Sequence, residues 1–164
     1  MEFGAIRYSL NAGAKSLEFD RKELDSTHGR IRKQMATKDY SIELLFKALA
    51  DRTRLRVIHL IGEDEVCVCF LVEVLKTNQP KISRHLAYLR RAGLVSTRRE
   101  GKWMHYRLTE PPDIHAARIF REVREVLANN QEMQKDKARF VKICGGAQLP
   151  VQLQKAPRPA SMSA

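Results

Sequence analysis

From Ser41 onward, apolar residues fall at helical spacing: Ile42, Leu45, Phe46 and Leu49 stand at i, i+3, i+4 and i+7, the mark of one buried helix face. Asp51 is placed to cap a second helix through Ile61, with Leu55, Ile58 and Ile61 turned inward and Gly62 as its left-handed stop. Val66 to Leu75 is a continuous apolar run, which at this length suits a strand or a buried helix; we read it as a short third helix. Asn78 then caps a fourth helix that tolerates Pro80 in its first turn, where backbone amides have no helical partner. Ile82, Leu86 and Leu89 form its inner face, and Gly93 ends it.

The period changes at Leu94. Leu94 to Arg99 and Trp103 to Leu108 read as strands around Glu100, Gly101 and Lys102, which predicts a β-hairpin with glycine at the turn. After Pro111 and Pro112, Asp113 can cap a long amphipathic helix with Ile114, Ala117, Phe120, Val123, Val126 and Leu127 on one side. The order predicts a mostly α chain with a small β-hairpin wing, a winged helix-turn-helix domain over residues 39–130. Residues 1–38 lack a sustained period and read as a disordered extension, in which Met35 is a candidate translation start. Residues 131–164 read as the end of the long helix followed by a disordered tail, rich in Pro, Gln, Ala and Ser, from Gly145. One small domain cannot easily cover the apolar stripes starting at Ile42 and Ile114, so the N- and C-terminal helices are expected to form a symmetric homodimer interface.

Charge gives this scaffold a partner. The chain carries a formal +11, and between Lys76 and Arg107 nine Lys and Arg residues face one acid, Glu100. Most of the excess therefore sits on the fourth helix and the hairpin, a shaped footprint for a polyanion. Near the start of that helix, Gln79, Lys81, Ser83, Arg84 and His85 supply groups for major-groove base edges and phosphates; Gln79 suits adenine and Arg84 guanine. Ser83 can also bond its own helix, and His85 can cover the core. Arg98, Arg99 and Lys102 on the hairpin suit phosphate contacts, which add affinity more than sequence choice. The expected partner is double-stranded operator DNA rather than RNA, whose duplex major groove is too narrow to read.

With no run of 18 apolar residues and no secretory leader pattern, a cytoplasmic protein without a membrane partner is expected. No phosphate loop or catalytic-pocket signature is present, so we do not read an enzyme. Three cysteines, Cys67, Cys69 and Cys144, are too few and too odd for a disulfide framework. Cys67 and Cys69 lie two apart near a helix start, where both thiols can turn toward one soft ion and the helix terminus favours the thiolate; as small buried apolar groups they would also pack well.

The segments LADRTRLRVIHLI at Leu49–Ile61, EVCVCFL at Glu65–Leu71, NQPKISRHLAYLRRAGLV at Asn78–Val95 and REGKWMHYRL at Arg99–Leu108 resemble the ArsR family of metal-responsive winged helix-turn-helix repressors. The likeness runs from about Tyr40 to Asn130. It implies that Cys67 and Cys69 belong to an arsenic-sensing Cys-x-Cys box, with As(III), Sb(III) or another thiophilic ion as inducer and no resident cofactor. Val72 stands where a third cysteine of the box is common, and Cys144 is the candidate to replace it. Asp113 and His115 match half of a second family site for zinc, while Val126 and Asn129 fill its other positions. The alternative within the family is a repressor that binds no metal, or one that responds to oxidation of its cysteines.

Overall fold

Four short polar side chains decide where helices begin. Asp51, Asn78 and Asp113 accept hydrogen bonds from the amides of Arg54 (2.9 Å), Lys81 (2.9 Å) and Ala116 (2.8 Å), and Asn130 accepts from Glu132 (2.9 Å). Each satisfies a helix-end donor and stabilises its helix by about 1 kcal/mol. The structure is a computed structural model that describes residues 40–146 and 149–162. The expectations for residues 1–38, including a start at Met35, lie outside the described residues.

In chain order the elements are α1 (Ile42–Leu49), α2 (Arg52–Ile61), β1 (Glu65–Cys67), α3 (Val68–Leu75), α4 (Gln79–Arg91), β2 (Val95–Glu100), β3 (Trp103–Leu108), α5 (Ile114–Ala128) and α6 (Gln131–Gly145). Two short 3-10 turns, Val151–Leu153 and Ala160–Met162, follow. The sheet is antiparallel with order β1-β3-β2, and the wing hairpin turns at Gly101 with φ of 57°. Its core is shared by Phe70, Phe120, Phe140, Leu45, Ile58, Leu71, Leu86 and Leu89, each fully buried.

The joint between α4 and the wing follows from one glycine. Gly93 takes φ of 70°, which lets its amide bond to Arg90 and the Leu94 amide bond back to Leu89 at 2.9 Å. This paired closure turns the chain straight from α4 into β2. The turn between α3 and α4 uses Lys76 in the left-handed region, φ 50°, a conformation that disfavours a residue with a Cβ by about 1 kcal/mol.

Three expectations are corrected. Val66–Leu75 is not one helix: Glu65–Cys67 pairs with β3, because Val66 and Cys67 can complete the sheet before the chain turns into α3. The inner face of α1 is Leu45 and Ala48, while Ile42 and Phe46 are exposed at 37% and 53%. The folded unit also continues past residue 130. Gln131–Gly145 is a separate helix whose Met133, Phe140 and Cys144 are buried, and Leu153 and Ala156 of the following segment enter the core. Asn129 and Asn130 break the register of α5, so the apolar period of α6 starts afresh and escapes a reading that prolongs the first helix.

Helix α6 is held to α2 and α3 by polar as well as apolar contacts. Arg56 donates to both carboxylate oxygens of Asp136, at 2.6 and 2.8 Å, and Asp136 is 3% exposed. Arg139 donates to the carbonyl of Val74 at 2.9 Å, and the Phe70 and Phe140 rings meet edge to face with centroids 6.3 Å apart.

Candidate nucleic-acid interface and thiol pair

Burying Ile82, Leu86 and Leu89 fixes which way α4 rolls, and that roll exposes two stripes. Gln79, Ser83, Ala87 and Arg90 form one; Lys81, Arg84, Tyr88 and Arg91 form the other. Among the described residues no carboxylate pairs with Lys81, Arg84, Arg90 or Arg91, so the helix presents free positive charge beside polar groups suited to base edges.

His85 lies on neither stripe. It turns toward α2, its Nδ1 3.4 Å from the Asp51 carboxylate, and its side chain is mostly covered. Burial, with Arg54, Lys81 and Arg84 nearby, pushes its pKa below the ordinary histidine value against the pull of Asp51.

The wing holds its charge differently. Arg98 donates to Glu65 at 2.7 Å and to Glu100 at 2.8 Å, so its guanidinium is already between two carboxylates. Arg99 donates to the Gly101 carbonyl at 3.0 Å, and the Lys102 ammonium sits over the Trp103 ring, 4.9 Å from its centre. Of the three wing cations named from sequence, Lys102 and Arg99 keep their charge uncompensated by any described carboxylate.

Cys67 and Cys69 are brought together where β1 becomes α3. Cys67 is fully buried and Cys69 partly so. Interaction between the two neighbouring thiols lowers the pKa of Cys67 and, with burial, raises that of Cys69, so Cys67 is the first of the pair to ionise. Cys144 is not with them. It is buried in α6, burial raises its pKa to about 11, and it packs as a core residue. Among the described residues no three His, Cys, Asp or Glu side chains gather as a metal site. Asp113 caps α5 and His115 is exposed beside it.

The arsR family of bacterial regulatory proteins matches residues 51–97, the stretch from the cap of α2 to the first residues of the wing. The arsenical resistance operon repressor of Escherichia coli K12 is 53% identical over 79 residues, 48% of this chain and 68% of that protein. The chain belongs to the ArsR family. Arsenic resistance transcriptional regulator ArsR1 of Pseudomonas putida KT2440 is 56% identical over 66 residues, 40% of this chain and 52% of that protein. The structure of reduced HlyU from Vibrio cholerae aligns with a TM-score of 0.44 at 26% identity, over 64% of this chain and 96% of that one. Membership makes the protein a winged helix-turn-helix transcriptional regulator, in keeping with the α2–α4 frame and hairpin described above.

Sequence reasoning passed over Arg54, Tyr88 and Glu65. Arg54 and Arg91 lie over the Tyr88 ring, 5.0 and 5.5 Å from its centre, while Glu65 neutralises Arg98. Spacing within α4 could have found Tyr88, seven residues after Lys81; the contacts to Arg54 and Glu65 cross between elements and carry no local signal.

Proposed function

We propose that this ArsR-family protein is an operator-binding repressor, acting as a dimer, that leaves DNA when Cys67 and Cys69 bind a trivalent arsenic species. The observation that supports this most is the position of the thiol pair. Cys67 lies opposite His105 in the β1–β3 ladder, and Cys69 lies in the first turn of α3, which packs on α4. A ligand held by both sulfurs therefore acts on the strand that carries the wing and on the helix that supports the reader.

The chemistry is ligand exchange. Arsenous acid loses two hydroxyl groups as two As–O bonds break; two As–S bonds form, and the two thiol protons leave with those hydroxyls as water. The third position keeps its hydroxyl, which suits a pair of thiols with Val72 where a third would stand. Cys67 is fully buried, so it must move to share the ion. Coupling of about 1–3 kcal/mol between ion and operator is enough for release, and it is reciprocal.

On the DNA side, Gln79 and Ser83 read base edges, Lys81 and Arg84 add charge along α4, and Arg99 and Lys102 of the wing hold phosphate. The exposed apolar residues Ile42 and Phe46 of α1, with Ile114 and Val126 of α5, suit the dimer contact.

The test is titration of arsenite into a complex of the full chain with duplex from upstream of its own gene, under strong reductant. Wild type is expected to release DNA, and Cys67→Ser or Cys69→Ser to bind DNA equally well but ignore arsenite. Release by peroxide alone would replace metalloid sensing with thiol oxidation.

A further inference from the structure

Between α2 and α4 lies an open cleft of about 220 Å3 lined by Arg54, Lys81, Arg84, His85 and Tyr88. Three of its five lining residues are permanently cationic and none is a carboxylate. The neighbouring acid, Asp51, accepts from the Arg54 amide at 2.9 Å, faces His85 at 3.4 Å and lies 3.7 Å from the Arg54 guanidinium.

Tyr88 organises the cleft. It is 50% exposed on a helix whose Ile82, Leu86 and Leu89 point inward, and its ring gathers Arg54 from α2 and Arg91 from α4. Arg54 is anchored independently, donating to the carbonyls of Ala48 (2.5 Å) and Lys47 (2.6 Å) at the end of α1. Its guanidinium is therefore held still. Among the described residues the Tyr88 hydroxyl has no hydrogen-bond partner, which leaves an O–H donor at the rim of a cationic recess.

We propose that this cleft seats a backbone phosphodiester of duplex DNA, with Tyr88 donating its hydroxyl to a phosphate oxygen while its ring holds Arg54 and Arg91 in place. The proposal rests on the operator-binding reading and extends it from α4 and the wing to α2. Lys81 and Arg84, which meet no described carboxylate, and the Tyr88 hydroxyl are groups that bond phosphate oxygens, and such contacts fix the orientation of a helix in the groove. The stripe Lys81, Arg84, Tyr88 and Arg91 then follows the DNA backbone, while Gln79 and Ser83 on the neighbouring stripe face the bases. Arg84, which the sequence offered as a guanine reader, belongs to the phosphate side.

The test compares wild type with Tyr88→Ala, Tyr88→Phe and Arg84→Ala on two duplexes, one of random sequence and one from upstream of the gene, across a salt series. Tyr88 is exposed, so neither of its variants disturbs the core. Tyr88→Ala removes a neutral donor and should lower affinity about tenfold on both duplexes with little change in salt slope, since the slope counts phosphates neutralised by Lys and Arg. Tyr88→Phe, which keeps the ring, should lose less, and Arg84→Ala should weaken both duplexes alike while lowering the slope by about 0.9. Wild-type affinity in the Tyr88 variants would overturn the cleft and leave operator binding standing; failure of wild type to bind either duplex would overturn both. Inorganic phosphate that competes with DNA in wild type but not in Tyr88→Ala, beyond chloride of equal ionic strength, would show a free-anion site instead.

Discussion

The recognition helix and the wing carry charge of the same sign but do not hold it in the same way. Along α4, Lys81, Arg84, Arg90 and Arg91 meet no carboxylate among the described residues, whereas Arg98 on the wing is bonded to Glu65 and Glu100 at 2.7 and 2.8 Å. The difference follows from geometry. An exposed helix face has only its own turns as neighbours, and no acid lies on α4; in the sheet, Glu65 of β1 reaches Arg98 of β2 across the central strand β3. Counting cations along the sequence treats the two regions as equal. The fold leaves the cations of α4 free of described carboxylates and gives Arg98 of the wing a structural duty.

The largest effect that sharpens this contrast is on the base-reading stripe. Replacing Gln79 by Ala should cost about 1–3 kcal/mol on the upstream duplex, through one base pair, with little change on random sequence or in salt slope. Competition assays with single-base variants of the upstream duplex check it; an equal loss on every sequence would move Gln79 to the phosphate side.

Within the wing the effects are smaller and should split. Lys102→Ala should lower the salt slope by roughly one, because a contact to phosphate is lost. Arg98→Ala should leave the slope unchanged, since its guanidinium is spent on Glu65 and Glu100. Equal slopes for the two variants would show that the Arg98 bridges open on DNA and would erase the distinction between helix and wing.

What the sequence disclosed divides along the same physical line. Helix caps, the inner face of α4, the hairpin and the thiol spacing are local, and each was legible from residues a few places apart. Interactions between distant elements were not. β1 looked helical because a three-residue strand buried on arrival has no alternation to show, and its partner lies some forty residues away in β3. Cys144 looked like a spare ligand on a tail because Asn129 and Asn130 interrupt the period before α6; once α6 docks through Phe140 and Asp136, that thiol is enclosed. His85, near the start of α4, was open to DNA contact or core cover, and the roll of α4 that brings it to Asp51 is set by packing between helices.

That inward histidine gives the smallest predicted effect and the most specific. The groups facing His85 are Asp51 and Arg54 from α2 and Lys81 and Arg84 from α4. Burial first, then the three cations, hold its pKa below the ordinary value of about 6.5, against Asp51. The unfolded chain therefore binds more protons in the window just beneath that value, so this group lowers stability as pH falls through it and contributes nothing further above it. A phosphate in the cleft reverses the local field. It places negative charge beside the same ring, raises its proton affinity and draws in a fraction of a proton when DNA binds. Affinity for random duplex should then rise as pH falls through this window, by less than the roughly tenfold per pH unit that one full proton would give. The His85→Gln variant should lose that part of the pH dependence, and anisotropy titrations at constant ionic strength across the window measure the difference. If the two proteins keep parallel profiles, no phosphate reaches His85, and the DNA backbone passes α4 on the side away from α2.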